Sequence, residues 1–172
     1  CPHLRSLQSC FTLSVEWNRL LIIVWPVAAL LSGYLIVRLV VKSGETGCEV
    51  DTMLERYHRG WGFISLRETL GRTLASLLTI GFGGSAGLEG PSLLLGAGIS
   101  SFITRRLGLS REEVKKLFLC GAAAGFSAIF KAPLTGILLA LEIPYKRDVE
   151  TEVFIPASIA SVTAYFVSTM IL

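Results

Sequence analysis

Four long stretches with at most one charged residue each constrain this chain more than any other feature. Each of these stretches, folded as a helix, is long enough to cross a hydrocarbon core of about 30 Å. A single soluble domain of 172 residues cannot easily bury so many apolar faces at once. The pattern therefore predicts an all-α integral membrane protein that passes through the bilayer several times. The four stretches are residues 20–41, 74–103, 117–141 and 153–172.

Composition supports this interpretation and excludes several classes of function. Charged residues make up 17% of the chain, below the roughly 25% of an average soluble domain. A net charge of +3, without basic residues interleaved with exposed aromatics, gives no indication of nucleic-acid binding. No enzyme is predicted, because the apolar stretches hold no serine–histidine pair, paired aspartates or histidine cluster at helical spacing. Four widely spaced cysteines and two histidines predict neither a metal site nor a cofactor.

The glycine-rich segment of residues 81–96 contains a single carboxylate, Glu89, with Pro91 two positions later. Glycine allows close backbone approach, and proline suits a first helical turn. A tight break is therefore predicted, followed by a helix that begins near Glu89. The first amides of such a helix lack partners and form a natural anion site. Glu89 is either an ordinary stabilising residue there or a tethered anion that competes with a free one; a membrane setting favours the second.

The remaining elements are predicted from periodicity and capping signals. Asp51 is the expected N-cap of a short amphipathic helix, and Ser110 with Glu113 forms a capping box. The small-residue pattern Gly121–Gly125 favours close helix packing, and a second break falls at Pro133. Residues 1–16 are treated as a boundary segment of a single membrane domain, 1–172. Helices are expected over residues 18–41, 51–58, 66–80, 91–106, 110–125, 134–141 and 151–172.

Several of these segments resemble the CLC family of chloride channels and proton-coupled anion exchangers. The resemblance covers about residues 66–142 and rests on GSAGLEGP at 84–91, GAAAG at 121–125, FKAPL at 130–134 and GILLALE at 136–142. It implies a CLC-like partial half-repeat with broken, re-entrant helices. It also implies that Glu89 is the gating glutamate, and that the amides of Leu88, Glu89 and Gly90 hold the anion. Transport of a small monovalent anion, chloride foremost, would be voltage- or pH-gated.

Two further positions follow from the same resemblance. The family's first anion motif falls on residues 47–51, so Cys48 stands where the family has a coordinating serine. Glu49 then replaces a glycine, and its charge would weaken anion binding unless it points away. The exchangers' second internal glutamate corresponds to Ile143 here; either Glu142 serves the proton pathway instead, or protons are not coupled in that way.

Family proteins are much longer and consist of two inverted halves, so this chain corresponds to part of the first half. The implied partners are chloride or a similar anion, the lipid bilayer of a cell membrane, a missing second half and a second copy in a homodimer. Residues 151–172 would lie at the dimer interface. The alternative is a non-conducting fragment or a regulatory membrane component. Channel and exchanger are not distinguished.

Overall fold

The computed structural model describes residues 19–41, 48–144 and 151–171. Helices and short connections make up these three ranges, which contain no β-strand, so the predicted all-α fold is confirmed. A π-helical turn, Val37–Val41, extends the first helix. The α-helices are α1 (Arg19–Ile36), α2 (Glu49–His58), α3 (Leu66–Gly81), α4 (Glu89–Leu107), α5 (Arg111–Phe130), α6 (Pro133–Glu142) and α7 (Thr151–Ile171).

Most helix boundaries lie close to their predicted positions, with two differences. The capping box is present: the backbone amide of Ser110 donates to Glu113 Oε2 at 2.9 Å, and that of Glu113 donates to Ser110 Oγ at 3.4 Å. The helix that it starts continues to Phe130 rather than ending near Gly125. Asp51 is not the N-cap of α2; Cys48 holds that position. Residues 1–16 and Gly47 lie outside the described residues.

Glycines allow α4 and α5 to pack with their backbones almost in contact. A Cβ on Gly96 would overlap the carbonyl oxygen of Gly121, and one on Gly125 would overlap that of Ser92. The predicted packing role of Gly121–Gly125 is thereby confirmed. Helix α5 also packs against α6 and α7, and therefore forms the centre of the fold. Its buried face includes Phe118.

The outer surface of the helices is strongly apolar. Large apolar side chains are exposed on every α-helix except α2, including Leu31 on α1, Leu74 on α3 and Ile159 on α7. Soluble monomers rarely expose apolar surface on this scale. By length and composition, one helix in the described ranges, Glu152–Ile171, could cross a bilayer, and only 17% of its apolar window is buried. Pro26–Leu39 and Pro133–Glu142 are shorter apolar helices.

Candidate functional site

The glycine-rich break lies between α3 and α4 and turns the chain sharply. Gly83, with φ of +90°, adopts a conformation that other residues rarely take, and its amide donates to Ile80 O at 3.0 Å. The chain then runs to Leu88, the N-cap residue, and α4 begins at Glu89 as predicted. The hydroxyl of Ser92 donates to Glu89 O at 2.7 Å and holds the first turn closed.

Backbone amides at the start of α4 are free to bind a ligand. The first intrahelical bond of this turn runs from the Ser92 amide to Leu88 O at 3.0 Å, and Pro91 has no N–H. Within the described ranges, the amides of Leu88, Glu89 and Gly90 donate to no acceptor. Unpaired donors at the positive end of a helix dipole are suited to an anion.

The Glu89 side chain is exposed at the first position of α4. Its carboxylate makes no hydrogen bond or ion pair with any residue that the structure describes. A side chain without such contacts is free to change rotamer. The carboxylate is therefore a mobile negative charge next to the free amides, and its gating role stays a prediction.

The start of α2 lies directly beside the start of α4. A methyl group on Gly90 would lie 3.2 Å from Glu49 Cβ, 3.4 Å from Glu49 Oε2 and 3.7 Å from Val50 Cγ2. The structure thus brings together the two segments that the resemblance assigns to the anion site. Cys48 is exposed at the N-cap of α2, and its Sγ lies 4.0 Å from Glu49 Oε2. Anion binding by Cys48 remains a prediction.

Glu49 does not point away from α4, because Ser76 holds its carboxylate in place. The hydroxyl of Ser76, on α3, donates a hydrogen bond to Glu49 Oε1. Sequence reasoning missed this contact, although Ser76 is a polar residue inside an apolar segment of α3. Glu49 and Ser76 line a cleft of about 260 Å³, which we call the side cleft. Its other lining residues are Leu30, Gly33, Tyr34, Val37, Arg72, Ala75 and Thr79.

Three charged side chains, one partly exposed and two buried, link α2 to α3. Nη2 of Arg56, on α2, lies 3.2 Å from Oε1 and 3.1 Å from Oε2 of Glu68, on α3. Nε of Arg72 lies 3.9 Å from Glu68 Oε1, and both of these side chains are almost fully buried. Because charges are costly to bury without partners, this group specifies how the two helices sit together and thereby positions Glu49.

Glu142, the predicted proton-pathway residue, lies on a different part of the fold. It is the last residue of α6, which packs on α5 and α7, and its side chain is exposed. The start of α6 is the second predicted break: Lys131, with φ of +55°, ends α5, and Pro133 begins α6. The structure therefore brings together the two segments that the resemblance assigns to the anion site, whereas Glu142 lies on α6, which packs on α5 and α7.

Comparison with known proteins identifies relatives of most of this chain. A family model described as voltage gated chloride channel matches residues 28–172. A chloride channel protein ClcB-like of Ralstonia nicotianae is 33% identical over 118 residues, 66% of this chain and 27% of that protein. The voltage-gated ClC-type chloride channels ClcB of Shigella flexneri and of Escherichia coli O139:H28 are 36% and 37% identical over 110 residues. That alignment covers 64% of this chain and 26% of each relative. The matched segment thus spans about a quarter of these relatives' length.

Proposed function

The chain belongs to the voltage gated chloride channel (CLC) family, and we propose that it forms part of a membrane pathway for small monovalent anions, chloride foremost. The observation that carries this proposal is the set of unpaired amides at Leu88, Glu89 and Gly90, placed beside the start of a second helix. Backbone donors at a helix N-terminus bind anions without a permanent counter-charge. An anion held in this way can also leave, as transport requires.

Glu89 is the gate in this proposal. Its carboxylate carries the same charge as the anion and lies at the same helix terminus, so that only one of the two occupies the free amides at a time. Rotation of the exposed side chain, or its protonation, admits the anion. This role accounts for one ionisable residue in a segment that is otherwise uncharged from residue 74 to residue 103.

The bilayer and two protein partners complete the proposal. The exposed apolar surfaces of α1, α3, α4 and α7 face lipid or other helices of a multi-pass membrane protein. Further helices, equivalent to the second half of the family's transport domain, enclose the other side of the anion. A second copy of the chain packs against α7, whose side chains Ile155, Ile159 and Phe166 are exposed.

Chloride efflux from liposomes that contain the purified protein tests this function. We expect efflux above that of empty liposomes, and we expect Glu89→Gln to raise the rate and abolish its dependence on pH. Glu112→Gln removes an exposed carboxylate from the first turn of α5 and serves as the matched control, with unchanged efflux.

Two results would count against the proposal in different ways. Efflux no faster than from empty liposomes, with a well-folded sample, would favour the non-conducting component. Efflux with the same pH dependence in wild type and Glu89→Gln would remove Glu89 from the gate but leave the pathway in place.

A further inference from the structure

We propose that Glu49 is a second tethered anion of this pathway, fixed where Glu89 is mobile, and that its charge sets the affinity of the site for free anions. The inference rests on the proposed anion transport and adds to it a residue that controls affinity. The sequence left open whether the charge of Glu49 points away from the anion site. In this proposal the charge lies beside that site.

The carboxylate of Glu49 lies close to the start of α4. Oε2 of Glu49 lies 3.4 Å from the place that a Cβ of Gly90 would occupy, next to one of the free amides of α4. Because Glu49 is also the first residue of α2, the positive ends of two helix dipoles stabilise its charge. A free anion at the start of α4 therefore meets a negative charge already held there.

The carboxylate of Glu49 is anchored in this position. Ser76 donates its hydroxyl to Oε1, and the ion pairs of Glu68 with Arg56 and Arg72 link α2 to α3. Hydrogen bonds to a charged acceptor are stronger than those between neutral groups. The Glu49 carboxylate therefore has a defined place, whereas that of Glu89 has no such contact in the described residues.

The described lining of the side cleft is mainly apolar, but it includes groups that suit an anion when the charge of Glu49 is removed. Arg72, which is 4% exposed, contributes a positive charge to its wall. The hydroxyls of Tyr34 and Ser76 line the same cleft, and Nη1 of Arg38 lies 3.4 Å from that of Tyr34. Among the described residues of this lining, Glu49 is the one carboxylate. Neutralising Glu49 leaves the positive charge of Arg72 and the two hydroxyls on the wall of this cleft.

The test is the chloride dependence of transport in reconstituted protein. We expect Glu49→Gln to lower the chloride concentration that gives half-maximal rate by roughly tenfold, because two like charges a few ångströms apart repel strongly in a protein. Glu55→Gln removes a carboxylate from the same helix, where its ion pair within the described residues is with the exposed Arg59. This control should leave the half-maximal concentration within about twofold of wild type.

A second variant guards against a folding defect in Glu49→Gln. Glu49→Asp keeps the charge and withdraws it by one methylene from Gly90, so the half-maximal concentration should fall in the same direction but less. Wild-type chloride dependence in both variants would overturn the role of Glu49. If transport then still responds to Glu89→Gln, the proposed function stands alone. If neither the wild type nor any variant transports chloride, both the proposed function and the role of Glu49 are wrong.

Discussion

The helices α2 and α4 both begin with a glutamate, but the two glutamates have different surroundings. Glu49 is the first residue of α2 and Glu89 is the first residue of α4, and the two helix starts meet at Gly90. Glu49 is half-buried and accepts a hydrogen bond from Ser76, whereas Glu89 is exposed and has no such contact in the described ranges. The residue type and the helix dipole are therefore not enough to assign a role.

The difference separates two tasks that a tethered carboxylate can perform. A charge held in one place changes how tightly a free anion binds, and it acts in every conformation. A charge that moves changes whether an anion binds at all. We therefore assign affinity to Glu49 and gating to Glu89, and three variants should weaken or sharpen this contrast.

Glu68→Gln should have the largest effect, because it removes a buried carboxylate that pairs with the partly exposed Arg56 and with Arg72, which is almost fully buried. We expect the free energy of unfolding to fall by about 3 kcal/mol, measured by denaturation in detergent. Glu55→Gln, which breaks an exposed pair, should cost no more than about 0.5 kcal/mol. An equal loss of unfolding free energy in the two variants would show that the ion pairs of Glu68 do not hold α2 in place.

Ser76→Ala should have an intermediate effect and make Glu49 resemble Glu89. Without the hydroxyl, the carboxylate loses its anchor and spends part of its time away from Gly90. The half-maximal chloride concentration should fall by roughly threefold, which is less than for Glu49→Gln. Ser158→Ala on α7, where the hydroxyl donates to Phe154 O of its own helix, is the matched control. A wild-type value for Ser76→Ala would mean that the anchor has no influence on the anion.

Gly90→Ala should have the smallest effect. Its methyl group would lie 3.2 Å from Glu49 Cβ, so that Glu49 must shift by a few tenths of an ångström. We expect a change of about twofold or less in the half-maximal chloride concentration, and a small loss of stability. Gly87→Ala meets only the amide nitrogen of Glu89, at 3.9 Å, and should behave as wild type. An effect of Gly87→Ala equal to that of Gly90→Ala would point to the backbone of the break instead of Glu49.

Local signals in the sequence predict most of the helices and one half of the candidate site, the start of α4. The start of α4 at Glu89 follows from glycine and proline, and the start of α5 follows from the Ser110–Glu113 capping box. The start of α2 did not follow in the same way. Asp51 has a good N-cap side chain, but α2 begins two residues earlier, where Thr52 bonds Cys48 O through its amide and its hydroxyl.

The other half of the site depends on contacts between residues that are distant in sequence. Glu49 and Ser76 are 27 positions apart in the sequence, and their side chains meet because the fold places α3 near the start of α2. The pairing of Arg56 with Glu68 depends on the same packing. No periodicity or capping rule relates such pairs of residues. From the sequence, the charge of Glu49 was therefore expected either to weaken anion binding or to point away from the anion site. Its anchored position beside Gly90 required the fold.

The central claim is that the two carboxylates act on one anion path, and a double-mutant cycle tests it most directly. The half-maximal chloride concentration would be measured for wild type, Glu49→Gln, Glu89→Gln and the double variant. Residues that share an anion should be coupled, and we predict an interaction free energy of about 1 kcal/mol or more. Changes that add within about 0.3 kcal/mol would show that Glu49 and Glu89 act on separate sites, and would contradict the account.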